Sequence, residues 1–270
     1  MKILKAVLVA VLILATARLY AGVAMDLVTK DASGATTEEM KVYAQSGMIR
    51  MDDVAKSSGE DMSMIFLGQK FIVLSHSDKT YIVMDEAMVS EMGSQMSAAM
   101  QQMEAQLAGM PPEQRAMVEQ MMQGQMQGMM GGDAAAPPPP TVKRIGSGEW
   151  QGQSCIQYAV YEGGEKKQEI CAASLGDIDG AEEALLAFKN MAEFMNKLAD
   201  AMPEPMASGM GENPMGLIDQ INGFPVRTVD FADGRTSYET TLESVVEQAL
   251  DASIFAPPAA YTQQDPFAGR

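Results

Sequence analysis

One histidine, two cysteines and 26 methionines in 270 residues bound the chemistry open to this chain. His76 stands between Ser75 and Ser77, with Asp78 following. A catalytic base needs a nucleophile within hydrogen-bond reach and an acid that orients it. Neighbouring side chains on a turn point apart, and no Gly-x-Ser-x-Gly elbow occurs. The expected role of His76 is therefore a turn histidine bonded locally, and no catalytic residue is assigned. One His and two Cys cannot build a four-ligand Cys/His zinc site. Asp177-Ile178-Asp179-Gly180 starts like a calcium loop but lacks the remaining ligands; it suits the N-cap of a following helix better. Phosphate-binding and dinucleotide motifs are absent.

The two cysteines, Cys155 and Cys171, flank two strand-like arms centred on Gly163-Gly164. A loop of Glu162 to Gly164 places Cys155 directly opposite Cys171, so the spacing predicts a cross-strand disulfide. The alternative, a reactive dithiol, lacks the close Cys-x-x-Cys spacing of redox motifs.

Thirteen of the methionines fall between Met84 and Met130. Met84, Met88, Met92, Met96, Met100 and Met103 recur at steps of four or three, which places them on one arc of a helix. Such a stripe can fill irregular space in a core, or it can line a groove that repacks around an apolar guest without any cofactor. Met117, Met121, Met122, Met126, Met129 and Met130 behave differently. They lie among Gln and Gly and do not keep one face. Thioethers select Cu(I), so this cluster is the alternative metal site, although the stretch has no His.

These residues must be positioned by the rest of the chain. At the N-terminus, Lys2 and Lys5 precede an apolar run from Ala6 to Ala15, with small-residue exits around Ala17, Ala21 and Ala24. The pattern is that of a signal peptide, residues 1–21, and the run is too short for a membrane span. Cleavage after Ala21 predicts an exported, soluble protein, periplasmic in a Gram-negative cell. Residues 22–85 alternate as an antiparallel meander: Gly22–Lys30, Lys41–Ala44, Met48–Met51, Ser63–Leu67, Phe71–His76 and Thr80–Asp85. Residues 86–130 lose β-branched and aromatic side chains and form a Met-rich helical insertion, stopped at Pro111-Pro112 and restarted there. An Ala/Pro linker, 131–140, follows.

Strands return at Thr141–Gly148, Ser154–Glu162 and Lys166–Ser174. Gly180–Met202 is a second helix with Leu185, Leu186, Phe188, Met191, Phe194, Met195 and Leu198 as its apolar positions. Phe224–Phe231 and Arg235–Ser244 make a last hairpin. There is no βαβ alternation, so the fold class is α+β on an antiparallel sheet of about ten strands. The formal net charge of −17 excludes a nucleic-acid binder, whose footprint is basic.

Several phrases resemble those of an exported bacterial family, domain of unknown function 4412. They are Met48-Ile49-Arg50-Met51-Asp52, Leu74 through Asp85 with its His76 and Lys79-Thr80-Tyr81, Met110 through Met117, Gly152-Gln153-Ser154-Cys155, Gly223 through Thr228, and Phe255 through Tyr261. Ser75 and Ala259-Ala260 depart from the family pattern. The resemblance implies a lipoprotein-carrier (LolA/LolB-like) fold, in which a curved half-barrel sheet is covered by helices over an apolar cavity that holds acyl chains. It implies one domain over residues 22–262, with 263–270 a disordered tail. The expected function is non-enzymatic binding of a lipid or acyl chain. A protein partner at the Met-rich helix is a further expectation, and Cu(I) binding is the alternative.

Overall fold

The structure is a computed structural model and describes residues 21–54, 59, 61–108, 140–201, 217 and 220–265. Two antiparallel meanders make up one twelve-stranded sheet. The first runs β1 (Ala21–Asp31), β2 (Thr36–Gln45), β3 (Met48–Val54), β4 (Met62–Phe66), β5 (Lys70–Ser75) and β6 (Thr80–Asp85). The second runs β7 (Thr141–Trp150), β8 (Gln153–Glu162), β9 (Glu165–Ala173), β10 (Phe224–Ala232) and β11 (Arg235–Ala249). β1 pairs with β11 from Ala21↔Ala249 to Asp31↔Tyr238, and this ladder joins the two meanders. A short β12 (Thr262–Gln263) adds to β6 in parallel, so the order is β12-β6-β5-β4-β3-β2-β1-β11-β10-β9-β8-β7. β12, absent from the sequence reading, carries the paired chain past residue 262; the amide of Gln264 also bonds the Tyr81 carbonyl.

The sheet is open, and its concave face closes on a helix. One core cluster unites Val42, Ile49, Phe66 and Phe71 from the first meander with Trp150, Cys155, Cys171 and Val226 from the second. Strands so far apart in a sheet share a cluster only if the sheet wraps around a common filler. That filler is α2 (Ala181–Ala201), which contacts β1, β2 and β3. Its buried face is Ala181, Ala184, Ala187, Met191, Phe194 and Leu198, spaced three or four apart as a helix requires. Three alanines at the N-terminal half let the helix sit close to the strands, and larger side chains fill the wider C-terminal half. The sequence reading misplaced part of this face: Leu186 is 52% exposed, because hydrophobicity alone ranks it above the alanines that make the contact.

α1 (Glu86–Ala108) contacts β6 and α2. Asp85 caps it, its Oδ1 accepting the Met88 amide at 2.9 Å. Val89 is buried.

The convex face is covered at its two ends. Over β3–β6 lies the C-terminal strap, with Leu250, Ile254, Phe255 and Tyr261 packed on Ile65, Ile72 and Leu74. Over β8–β9, Leu217 and Ile221 pack on Tyr158, Val160 and Ile170. Between them the face carries charged and hydroxyl side chains together with Val28 and the exposed Val246. There Ser244 and then Lys41 hold the Asp26 carboxyl below its usual range, and Arg227 does the same to Glu239, bonding it twice at 2.8 and 2.9 Å.

The disulfide Cys155–Cys171 forms inside the concave core, Cα atoms 5.5 Å apart. Its register differs from the expected one. Cys155 pairs with Ala173 and Cys171 with Gln157, so the bridge is diagonal. The turn is a tight two-residue Gly163-Gly164 loop with both φ positive, at 57° and 88°, and a register shift after Val160 displaces the ladder below it. No helix among the described residues is long and apolar enough to cross a membrane.

Candidate functional site

At the C-terminal end of α2 the concave face opens into a cleft of about 1160 Å³. Its walls are the β4–β5 turn, the end of β6, the first turns of α1 and the last turns of α2. Leu67, Phe194 and Leu198 supply an apolar floor; Lys70, Lys197, Asp85 and Glu86 supply a charged rim; Ala87 and Ser90 line the α1 side. The floor is anchored by three rings. Phe194 lies 5.8 Å from Phe66 and 5.6 Å from Phe71, and those two are 5.1 Å apart. Mutual packing at these spacings fixes the rings as a rigid base. Gly68 and Gln69 complete the lining, so polar and apolar atoms share the wall of this open cleft about equally.

Neither Met84 nor Met88 of the predicted methionine groove lines this cleft. Met84 is not helical: it is the fifth residue of β6 and packs against the concave core. Met88 is half-buried on α1. Positions 92, 96, 100 and 103 lie on α1, and their side chains are outside the described set. The α1 residues that line the cleft, Glu86, Ala87 and Ser90, occupy a different helical arc from the methionine positions. Met117, Met121, Met122, Met126, Met129 and Met130 lie outside the described residues. Methionines do fill the core from elsewhere in the chain. Met25 and Met191 are buried, and Met40, Met51, Met64 and Met195 pack beside them, as flexible thioethers over a curved surface should.

His76 departs from its expected local role. Its Nε2 lies 2.6 Å from Ser63 Oγ and its Nδ1 lies 2.7 Å from the Tyr261 hydroxyl. Ser63 Oγ donates to Asp52 Oδ1 at 2.6 Å, which also accepts Arg50 Nε at 2.6 Å; Arg50 Nη1 donates to the Ile254 carbonyl at 2.8 Å. Sequence neighbours suggested only Ser75, Ser77 and Asp78. These three bond among themselves, while the partners of His76 come from β4 and the C-terminal strap.

A serine, a histidine and an aspartate are thus joined, yet the order is wrong for nucleophilic catalysis. In a triad the acid holds the histidine and the histidine takes the serine proton. Here the serine gives its one proton to the acid, so His76 Nε2 must donate to Ser63, and the other ring nitrogen faces a tyrosine. Ser63 is 1% exposed. The arrangement is a clasp that ties the strap to the sheet. Arg50, Asp52, His76, Phe255 and Tyr261, separate phrases in the sequence, meet around it.

Among the described residues no group of three or more His, Cys, Asp or Glu side chains could hold a metal. Comparison with known proteins bears on the family. No curated protein matches the chain. An uncharacterized conserved protein from Thermus thermophilus aligns with a TM-score of 0.43 at 7% identity, over 91% of this chain and 92% of that one. The LolA superfamily protein NE2245 from Nitrosomonas europaea aligns with a TM-score of 0.30 at 7% identity, over 88% and 90%. MucB in complex with MucA(peri) aligns with a TM-score of 0.36 at 8% identity, over 89% of this chain and 56% of that one. The family model described as domain of unknown function (DUF4412) matches residues 84–261, from the end of β6 to Tyr261 of the clasp. The chain belongs to the family of domain of unknown function 4412.

Proposed function

We propose that this is an exported, non-enzymatic binding protein that holds an apolar ligand, a lipid or acyl chain, in the cleft between α1, α2 and the β4–β5 turn. The observation that carries this reading is the cleft itself. It lies against the last turns of α2, where Phe194 and Leu198 of the concave core reach its wall and Leu67 of the β4–β5 turn adds a third apolar side chain. An apolar guest entering there removes chiefly its own surface from water, at about 25 cal/mol per Å² of apolar area, since Phe194 and Leu198 are already buried. The buried disulfide fits an oxidising compartment outside the cytosol, in agreement with the N-terminal export signal read from the sequence.

The test uses a neutral fluorescent reporter, N-phenyl-1-naphthylamine, which brightens when it leaves water. The protein binds it saturably, and Ala87→Trp, at an exposed position lining the cleft, weakens binding at least tenfold without changing the circular dichroism spectrum. Absence of saturable binding, or equal binding by Ala87→Trp, overturns the proposal.

A further inference from the structure

The rim of the cleft carries both signs of charge without a direct ion pair among its four charged side chains. Lys70 closes the β4–β5 turn, and Lys197 stands on α2 beside the floor residue Leu198. Across from α2, Asp85 ends β6 and Glu86 begins α1. Lys70 and Asp85 are cross-strand partners in the β5–β6 ladder, so cation and carboxylate enter the cleft side by side. Among the ion pairs of the described residues, other lysines of the chain, Lys41, Lys166 and Lys167, hold carboxylates within 4.0 Å, and these four rim groups do not pair with one another. One carboxylate is partly committed, since Asp85 accepts the Met88 amide. Glu86 sits in the first turn of α1, exposed.

An apolar floor under such a rim selects its guest by head group. A purely anionic head would meet Lys70 and Lys197 but also the carboxylates of Asp85 and Glu86. A purely cationic head would meet the reverse conflict. A head with both charges a few bonds apart satisfies both sets. We infer that the ligand of this cleft is a zwitterionic amphiphile: an aliphatic chain on the Leu67–Phe194–Leu198 floor, an anionic group of phosphate type toward Lys70 and Lys197, and an ammonium group toward Asp85 and Glu86. The inference rests on the binding proposal above and names the chemistry of its ligand.

Four amphiphiles with the same twelve-carbon chain separate head group from chain: dodecylphosphocholine, dodecanoate, dodecyltrimethylammonium and dodecyl maltoside. Each displaces N-phenyl-1-naphthylamine from the full mature protein below its micellar concentration. The zwitterion displaces the reporter at a concentration at least fivefold lower than the other three. Lys70→Gln with Lys197→Gln removes that advantage and moves the order toward the cation; Glu86→Gln moves it toward the anion. Each displacement is normalised to the variant's own reporter affinity, so a change in reporter binding does not enter the order of the four heads. Saturable reporter binding with equal displacement by all heads, or with a singly charged head strongest, overturns this inference and leaves the binding proposal standing. An order unmoved by the lysine variants also overturns it. Failure of the reporter to bind overturns both.

Discussion

Removing the Ser63 hydroxyl tests whether the clasp on the convex face holds the C-terminal strap. Ser63→Ala deletes one oxygen from a site that is 1% exposed, so little packing is lost and the effect is mainly of hydrogen bonding. Two bonds disappear. The one to Asp52, already bonded to Arg50, is charge-assisted and worth about 1.5–3 kcal/mol; the one to His76 is worth about 1 kcal/mol. His76 Nε2 is left without the acceptor it faces in the folded protein. The expected loss is about 3 kcal/mol in urea unfolding, or a fall in melting temperature of about 2–4 °C per kcal/mol for a chain of this length. Tyr261→Phe removes only the hydroxyl on the other face of the imidazole, at a cost of about 1 kcal/mol. Both substitutions act through one ring, so the double variant is non-additive by about 0.5 kcal/mol or more. Amide exchange gives a local readout. The Thr262 and Gln264 amides bond the carbonyls of Lys79 and Tyr81, and their protection falls in Tyr261→Phe before that of the β1–β11 ladder. Strict additivity, or a Ser63→Ala loss under about 1 kcal/mol, refutes the claim that His76 joins strap and sheet.

Two further outcomes follow from the sheet. Gly223 enters β10 at φ 131°, and a Cβ there would lie 2.3 Å from the Ala173 carbonyl oxygen. Gly223→Ala therefore displaces the β9–β10 pairing; thermal unfolding shows a loss of about 2 kcal/mol or more, and an unchanged melting temperature refutes the contact. Arg227 holds the Glu239 carboxyl below the usual glutamate value of 4.5. With the folded value below the unfolded one, its stabilisation is present above that pH and lost as pH falls through the folded value. The pair is more than a third exposed on the arginine side, so the stabilisation is under about 1 kcal/mol. Glu239→Gln lowers stability by that amount at about pH 7 and flattens the decline below pH 4.5, as measured by unfolding across pH; a parallel pH profile contradicts the assignment.

Where local pattern decides, the sequence was legible. Short runs of β-branched, aromatic and apolar side chains bounded by turn residues mark β1, β4–β6 and β8–β10 to within a residue or two. The Gly163-Gly164 turn located the hairpin that carries the disulfide, and the loss of β-branched residues after Asp85 marked α1. The chosen methionine face was only partly legible. Met84 kept the four-residue step of the helical stripe while belonging to a strand, since a single position satisfies both periods.

What the chain determines by itself is therefore its list of elements, its acidity and its pair of bridging cysteines. Tertiary structure alone decides which elements meet. The β1–β11 ladder joins strands more than 200 residues apart, and nothing local encodes that pairing. Alanines rather than leucines form the inner face of α2, because proximity to the sheet rewards small side chains there. The partners of His76 arrive from β4 and the strap, so a residue that reads as part of a turn becomes the centre of a half-buried clasp. The cleft has the same origin: its lysines, carboxylates and apolar floor come from four separate elements, and only the wrapping of the sheet around α2 brings them to one rim.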